Sequence, residues 1–227
     1  MISIDSIYQK VLAVANKEQR GYITPQEFNL FANQAQMDIF EQYFYDLNQF
    51  LSMLGNDTLY ADMVDILEEK IEVFHTLDTI SGSNNEFDLP NDYYRLAQIR
   101  SNGVEVEKLT HKKLLNAINS PLTTPTLSRP AYYVKDTRII AFPDTINSID
   151  VNYIRKPIKV NWTYVVLNKK ALYNSSALDL QDFELHVSEE VDLVLKILTL
   201  AGISTGTELY TTASTEDKKN VQQEKLK

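Results

Sequence analysis

Thr24-Pro25-Gln26-Glu27 is the strongest structural signal in the chain, with Thr at an N-cap, Pro at the first helical position and Glu three residues in. In such a box the Thr and Glu side chains satisfy each other's backbone donors, and Pro supplies a helical φ where no N–H is needed. Neither Gly nor Pro follows before Gly55, so the pattern predicts a helix of about 28 residues, roughly 40 Å at 1.5 Å per residue. One apolar stripe runs through Phe28, Ala32, Ala35, Ile39, Tyr43 and Phe50, and a second through Phe40, Phe44, Leu47, Leu51 and Leu54. Two adjacent stripes make a face wider than one neighbouring helix covers. The helix therefore either lies between two partners in its own chain or leaves one side for another subunit.

Helical spacing recurs on both sides of this element. Ser3 is a candidate N-cap for a helix to about Glu18, with Ile4, Ile7, Tyr8, Val11, Val14 and Ala15 on one face and Gly21 as its stop. A further helix is expected from Leu59 to Phe74, with Met63, Ile66, Leu67 and Ile71 inward and Asp62, Asp65, Glu68 and Glu69 on a solvated side. Toward the end, Val187 to Ala201 carries Val191, Val194, Leu195 and Leu198 as one face, with Gly202 as C-cap. The segment Glu208 to Lys227 is polar, with few large apolar residues after Tyr210, and is expected to hold a last helix only against a partner.

From Ile80 to Asn174 the period becomes that of strands. Ser81-Gly82-Ser83-Asn84-Asn85 reads as a flexible linker, and Phe87-Asp88-Leu89 before Pro90 as a short extended piece. Tyr94–Arg100 and Val104–Leu109 flank Asn102-Gly103, a type I′ hairpin signal. Thr110 caps a short helix to Ala117, and Pro121, Pro125 and Pro130 mark a loop. Tyr132–Val134, Arg138–Phe142 and Ile149–Ile154 complete a small antiparallel sheet, which Trp162–Leu167 and Ala171–Tyr173 are expected to extend. The fold class is thus α+β, a helical bundle built from N- and C-terminal helices around a central antiparallel β-rich module. The parts are 1–80 (helical), 81–175 (β-rich) and 176–227 (helices packing with the N-terminal part).

Composition narrows the function. With 227 residues, 44% of them hydrophobic, the chain is long enough for a sizeable core. Zero cysteines exclude disulfides and thiolate chemistry. Its apolar runs, such as Tyr164–Leu167, fall far short of the ~20 residues that span a bilayer, and Met1-Ile2-Ser3-Ile4-Asp5 has no signal-peptide pattern. A formal charge of −9 disfavours binding that draws its energy from neutralising DNA phosphates. His111-Lys112-Lys113 and Lys169-Lys170 are small basic groups that read as solvated surface. His75, His111 and His186 have no ligand spacing, and no Gly-rich phosphate loop or nucleophile elbow occurs among six glycines. Glu189 and Glu190, or Asp179 and Asp182, would serve acid–base chemistry only if desolvated. No catalytic, cofactor-binding or metal residue is assigned, no cofactor is implied, and no enzyme is expected. The 13 tyrosines suit protein interfaces, where a large ring with a polar tip is favoured.

Four segments together resemble one family. They are Gly21-Tyr22-Ile23-Thr24-Pro25-Gln26-Glu27-Phe28-Asn29, Phe87-Asp88-Leu89-Pro90-Asn91-Asp92-Tyr93, Val151-Asn152-Tyr153-Ile154-Arg155-Lys156-Pro157, and Asp182-Phe183-Glu184-Leu185 leading to a helix ending Leu200-Ala201-Gly202-Ile203. Their order is similar to that in the head-to-tail adaptor, or ring, proteins of short-tailed bacteriophages. Within these, the likeness is to the tail tubular protein A-like group of crAss-like and Bacteroidetes-infecting phages. No family pattern is recognised from Asn56 to Ile80 or after Ser204. The resemblance implies a virion protein, assembled in the host cytoplasm into a cyclic homo-oligomer of twelve copies. Its partners would be the portal protein and other tail or ring proteins, with DNA passing through the bore and no membrane contact. Twelve copies at −9 each carry −108 formal charges, a sign that would keep a bore from gripping DNA phosphates. The aromatic face of the Thr24–Leu54 helix and the polar C-terminal segment are the expected subunit or portal contacts. Another tail component of the same particle, and a non-virion DNA-binding or assembly factor, are the competing readings.

Overall fold

The computed structural model describes residues 1–17, 23–52, 58–168 and 170–202. Expectations placed on Glu18, Gly21, Leu54, Gly55, Lys169, Ile203 and Glu208–Lys227 lie outside them. The chain is mixed α+β with largely antiparallel sheets. It forms two compact units, one from residues 1–70 with 157–227 and one from 71–156.

In the first unit, helices α1 (Ile4–Lys17), α2 (Pro25–Ser52) and α5 (Glu190–Leu200) pack together, α5 lying against both others. Helix α2 begins at the expected box: the Thr24 N–H donates to Glu27 Oε2 at 2.9 Å and the Glu27 N–H to Thr24 Oγ1 at 3.3 Å. The Thr24 backbone and hydroxyl donors hold the Glu27 carboxyl below its usual range. Both stripes of α2 are buried along its first five turns, Phe28, Ala32, Ala35, Ile39 and Tyr43 on one and Phe40 and Phe44 on the other. The aromatic face considered for another subunit is therefore covered by the chain itself, and only toward the helix end does Leu51 emerge.

Two helices bury the faces read from spacing only in part. In α5 the buried side chains are Leu193, Ile197 and Leu198, while Val191 is 69% exposed and Val194 and Leu195 are half-buried. Its apolar residues span a wide arc, with Asp192, Lys196 and Thr199 on the remaining side, so spacing alone does not select which part of the arc faces inward. In α3 (Thr58–Glu72) Leu67 and Ile71 are buried but Ile66 is 45% exposed, with Asp65, Glu68 and Glu69 in solvent. Gly202 sits at φ 70 after α5, its N–H on the Thr199 carbonyl, as a left-handed C-cap requires.

The second unit is built from two four-stranded sheets rather than one. Its strands are β1 (His75–Ser81), β2 (Glu86–Asp88), β3 (Tyr93–Ser101), β4 (Val104–Glu105), β5 (Glu107–Lys108), β6 (Ala131–Lys135), β7 (Arg138–Phe142) and β8 (Ser148–Arg155). One sheet has the order β1-β8-β3-β4 and is antiparallel; the other has the order β2-β7-β6-β5, with only β5 and β6 parallel. Phe87 and Ile139 from one sheet and Ile99, Ile149, Val151 and Tyr153 from the other close a shared core. Burial pushes the Tyr132 hydroxyl up to about 12, aided by Tyr93 and Glu105. The hairpin forms as read, with Asn102 at φ 50 and Gly103 at φ 79. The predicted strand 104–109 divides: β4 stays with β3, Val106 turns inward, and β5 crosses to the other sheet. Helix α4 (His111–Ile118) follows Thr110, whose side chain accepts from the Lys113 N–H.

Residues 81–85 are a built turn, not a flexible linker. Asn84 and Asn85 take φ of 55 and 67, Ser83 bridges Glu86, and the Gly82 N–H bonds the Asn147 carbonyl at 3.1 Å. A Cβ on Gly82 would sit 2.3 Å from the Glu86 carbonyl oxygen and 2.5 Å from the Phe87 ring, so only glycine fits. This unit begins and ends on paired strands, His75 opposite Ile154, with the Arg155 N–H on the Phe74 carbonyl at 2.9 Å.

Candidate functional site

The first unit ties distant segments together through side-chain amides. Asn29, Asn33 and Gln36 lie on one side of α2 and meet the backbone from Ile158 to Trp162. Asn33 donates to the Val160 carbonyl and accepts from the Val160 N–H, both at 2.9 Å. Asn29 treats Trp162 likewise, at 3.2 and 2.8 Å. Gln36 donates to the Ile158 carbonyl at 2.8 Å and accepts from the Glu184 N–H at 3.2 Å. Glu184 in turn accepts from the Ile158 N–H at 2.8 Å. Geometry explains the match: four helical residues advance about 6 Å, close to the roughly 6.6 Å of two residues in an extended chain. The amides thus act as a strand partner presented by a helix.

Trp162, 1% exposed, is the hub that this arrangement places. Its Nε1–H donates to Asp5 Oδ1 at 3.0 Å, and its ring lies 4.0 Å from Tyr8, 5.8 Å from Tyr164 and 5.9 Å from Tyr173. Burial and the nearby Asp182 and Asp5 carboxylates raise the Tyr173 hydroxyl. Tyr164 and Tyr173 form the base of a ribbon, β9 (Tyr164–Leu167) with β10 (Lys170–Tyr173). Among the described residues β9 and β10 form a two-stranded sheet of their own and do not extend a four-stranded sheet, contrary to the expectation from sequence. Val165, Val166, Leu167 and Leu172 are all more than half exposed on it.

A second apolar feature lies between α1 and α5. Ala13, Val14, Val191, Val194 and Leu195 line an open groove of about 340 Å³ whose rim carries the Lys10–Glu190 ion pair. Three of the four residues read from sequence as the inner face of α5, Val191, Val194 and Leu195, line it, and the fourth, Leu198, is buried as read.

The carboxylates weighed for acid–base chemistry hold structure instead. Glu189 pairs with Lys70 and Glu190 with Lys10. Asp182 caps α1 by accepting from the Ile4 N–H at 2.8 Å, and Asp179 accepts from Asn161 at 3.0 Å. Tyr43 is buried; burial, then the Glu189 and Asp192 carboxylates, hold its pKa well above the usual phenol range. Lys70 lies 5.6 Å over the Tyr43 ring. His75, His111 and His186 are exposed. Among the described residues no three metal-binding side chains converge, and no helix is long and apolar enough to cross a membrane. What the described surface offers is unpartnered apolar area, a property of contact surfaces. The signal for the amide ladder was Asn29, Asn33 and Gln36 at i, i+4, i+7 beside an apolar stripe. No protein-family model matches the chain, and no curated protein matches it.

Proposed function

We propose that this chain is a structural protein of a bacteriophage particle, one subunit of a twelve-membered ring between portal and tail, with DNA passing through the bore. In this reading the helices of both chain ends form a bundle that makes the ring body, and no step of chemistry is performed. The observation that carries it is the joining of the chain ends. Ile2 and Phe183 exchange backbone hydrogen bonds at 3.2 and 3.1 Å, and Asp182 caps α1, so the stretch that leads into the first family-like segment meets the start of the fourth. The strand-rich unit is inserted between them, the order that the family resemblance implies. The exposed ribbon and groove add the contact surface that a subunit of an assembly needs.

Native mass spectrometry of the full chain, alone and mixed with the portal protein, tests the ring. A species of twelve chain masses, free or on the portal, is expected. A monomer under every condition, including with the portal present, overturns the reading.

A further inference from the structure

We propose that the cleft between β3 and β5 in the strand-rich unit takes an extended peptide segment of another protein chain as an inserted strand, a binding role that does not depend on the ring reading. Strand β4 pairs with β3 at Arg100 and Ser101, and the next bond runs from the Val106 N–H to the Ile99 carbonyl at 2.9 Å. Continued in that register, Lys108 would stand opposite Ala97. The chain instead crosses to β6, and a cavity of about 440 Å³ opens between residues 96–99 on one wall and 105–108 on the other. Among the described residues no strand pairs with β3 on this side before Arg100, nor with β5 on the side away from β6.

The main chain on these edges identifies the ligand. Glu107 and Leu109 donate to the Pro130 and Tyr132 carbonyls at 2.9 and 2.8 Å. Lys108 between them therefore turns its own N–H and carbonyl away from β6, to the side on which Val106 meets β3. Buried Ile99, Val106 and Tyr132 line the cavity from the core. At its exposed rim Glu105 and Glu107 offset Lys108 and Arg129. Balanced charge selects no ionic ligand, whereas open strand edges select another main chain, as in recognition by strand addition. An uncharged, proline-free stretch about as long as the 96–99 wall, roughly four residues, meets both edges while alternate apolar side chains turn toward Tyr132.

The probe is a blocked peptide of alternating threonine and valine, and its control is the same peptide N-methylated at the valines, which keeps the side chains and loses main-chain donors. Both are titrated into the full-length chain, with hydrogen exchange of the Lys108 amide as the readout. The parent peptide should slow that exchange about tenfold or more at saturation, and the N-methylated peptide should bind at least about tenfold more weakly, the worth of one main-chain hydrogen bond or more. Ala97→Trp, changed at an exposed position of the cleft wall, should fill the cleft and abolish the protection. Equal binding of the two peptides overturns the inserted strand, because side chains alone would then carry the contact. Absence of protection at Lys108 at millimolar peptide overturns it too, as does a Lys108 amide already protected in the chain alone, since the edge would then be closed. None of these outcomes bears on whether the chain forms a ring, which native mass reports separately.

Discussion

Trp162→Ala should lower the stability of the chain by about 3–5 kcal/mol, the range for removing a large buried aromatic. The indole is 1% exposed and fills the space among Tyr8, Tyr164 and Tyr173, so its loss leaves a void that rings cannot collapse into without leaving their own packing. It also strips Asp5 of the Nε1–H donor. Trp162→Phe keeps much of the apolar area but loses that charge-assisted bond, which places it between wild type and Trp162→Ala. Urea unfolding followed by circular dichroism measures both, since the chain's one tryptophan is itself removed and cannot serve as a fluorescent probe. A loss below about 1 kcal/mol for Trp162→Ala would mean that the hub does not hold the ribbon base as described.

Asn33→Leu should cost about 2–5 kcal/mol despite adding apolar area. Val160 is 2% exposed, and Asn33 satisfies both its N–H and its carbonyl. Leucine satisfies neither, and each buried backbone group left without a partner costs about 1–3 kcal/mol. Hydrogen exchange gives a second readout: the Val160 amide should lose its protection while the amides within α2 keep theirs. Protection retained at Val160, with a stability change under about 0.5 kcal/mol, would show that water or another group replaces the amide at no cost.

These two sites show where sequence reading stops. The start of α2, the Asn102-Gly103 hairpin, the Thr110 cap and the Gly202 stop are each set by neighbours within a few residues, so they are legible. Strand β1 is not: its residues are mostly exposed on a sheet edge, so no alternation marks it, and its partner strand β8 begins only at Ser148. The 81–85 turn looks like a linker by composition, but its positive-φ asparagines and the Phe87 ring against Gly82 make it one fixed shape. In α5, an apolar arc wider than one contact leaves the inner face to be chosen by α1 and α2, and part of the remainder lines the groove. The amide ladder on residues 158–162 is a contact between residues 122 to 133 positions apart, which no local period encodes.

The wide aromatic face of α2 teaches the same lesson about function. Phe44 is 7% exposed within a single chain, so Phe44→Asp would damage the core and could not report on assembly. Assembly is better probed at Val166 and Val191, whose side chains already face solvent.

Copies per particle test the central claim most directly. Quantitative mass spectrometry of purified virions, with this chain measured against the portal protein, should return a ratio near one if both form rings of matched symmetry. Absence of the chain from the particle would contradict a structural role in the connector and turn attention to an assembly or DNA-binding factor that leaves before the virion is complete.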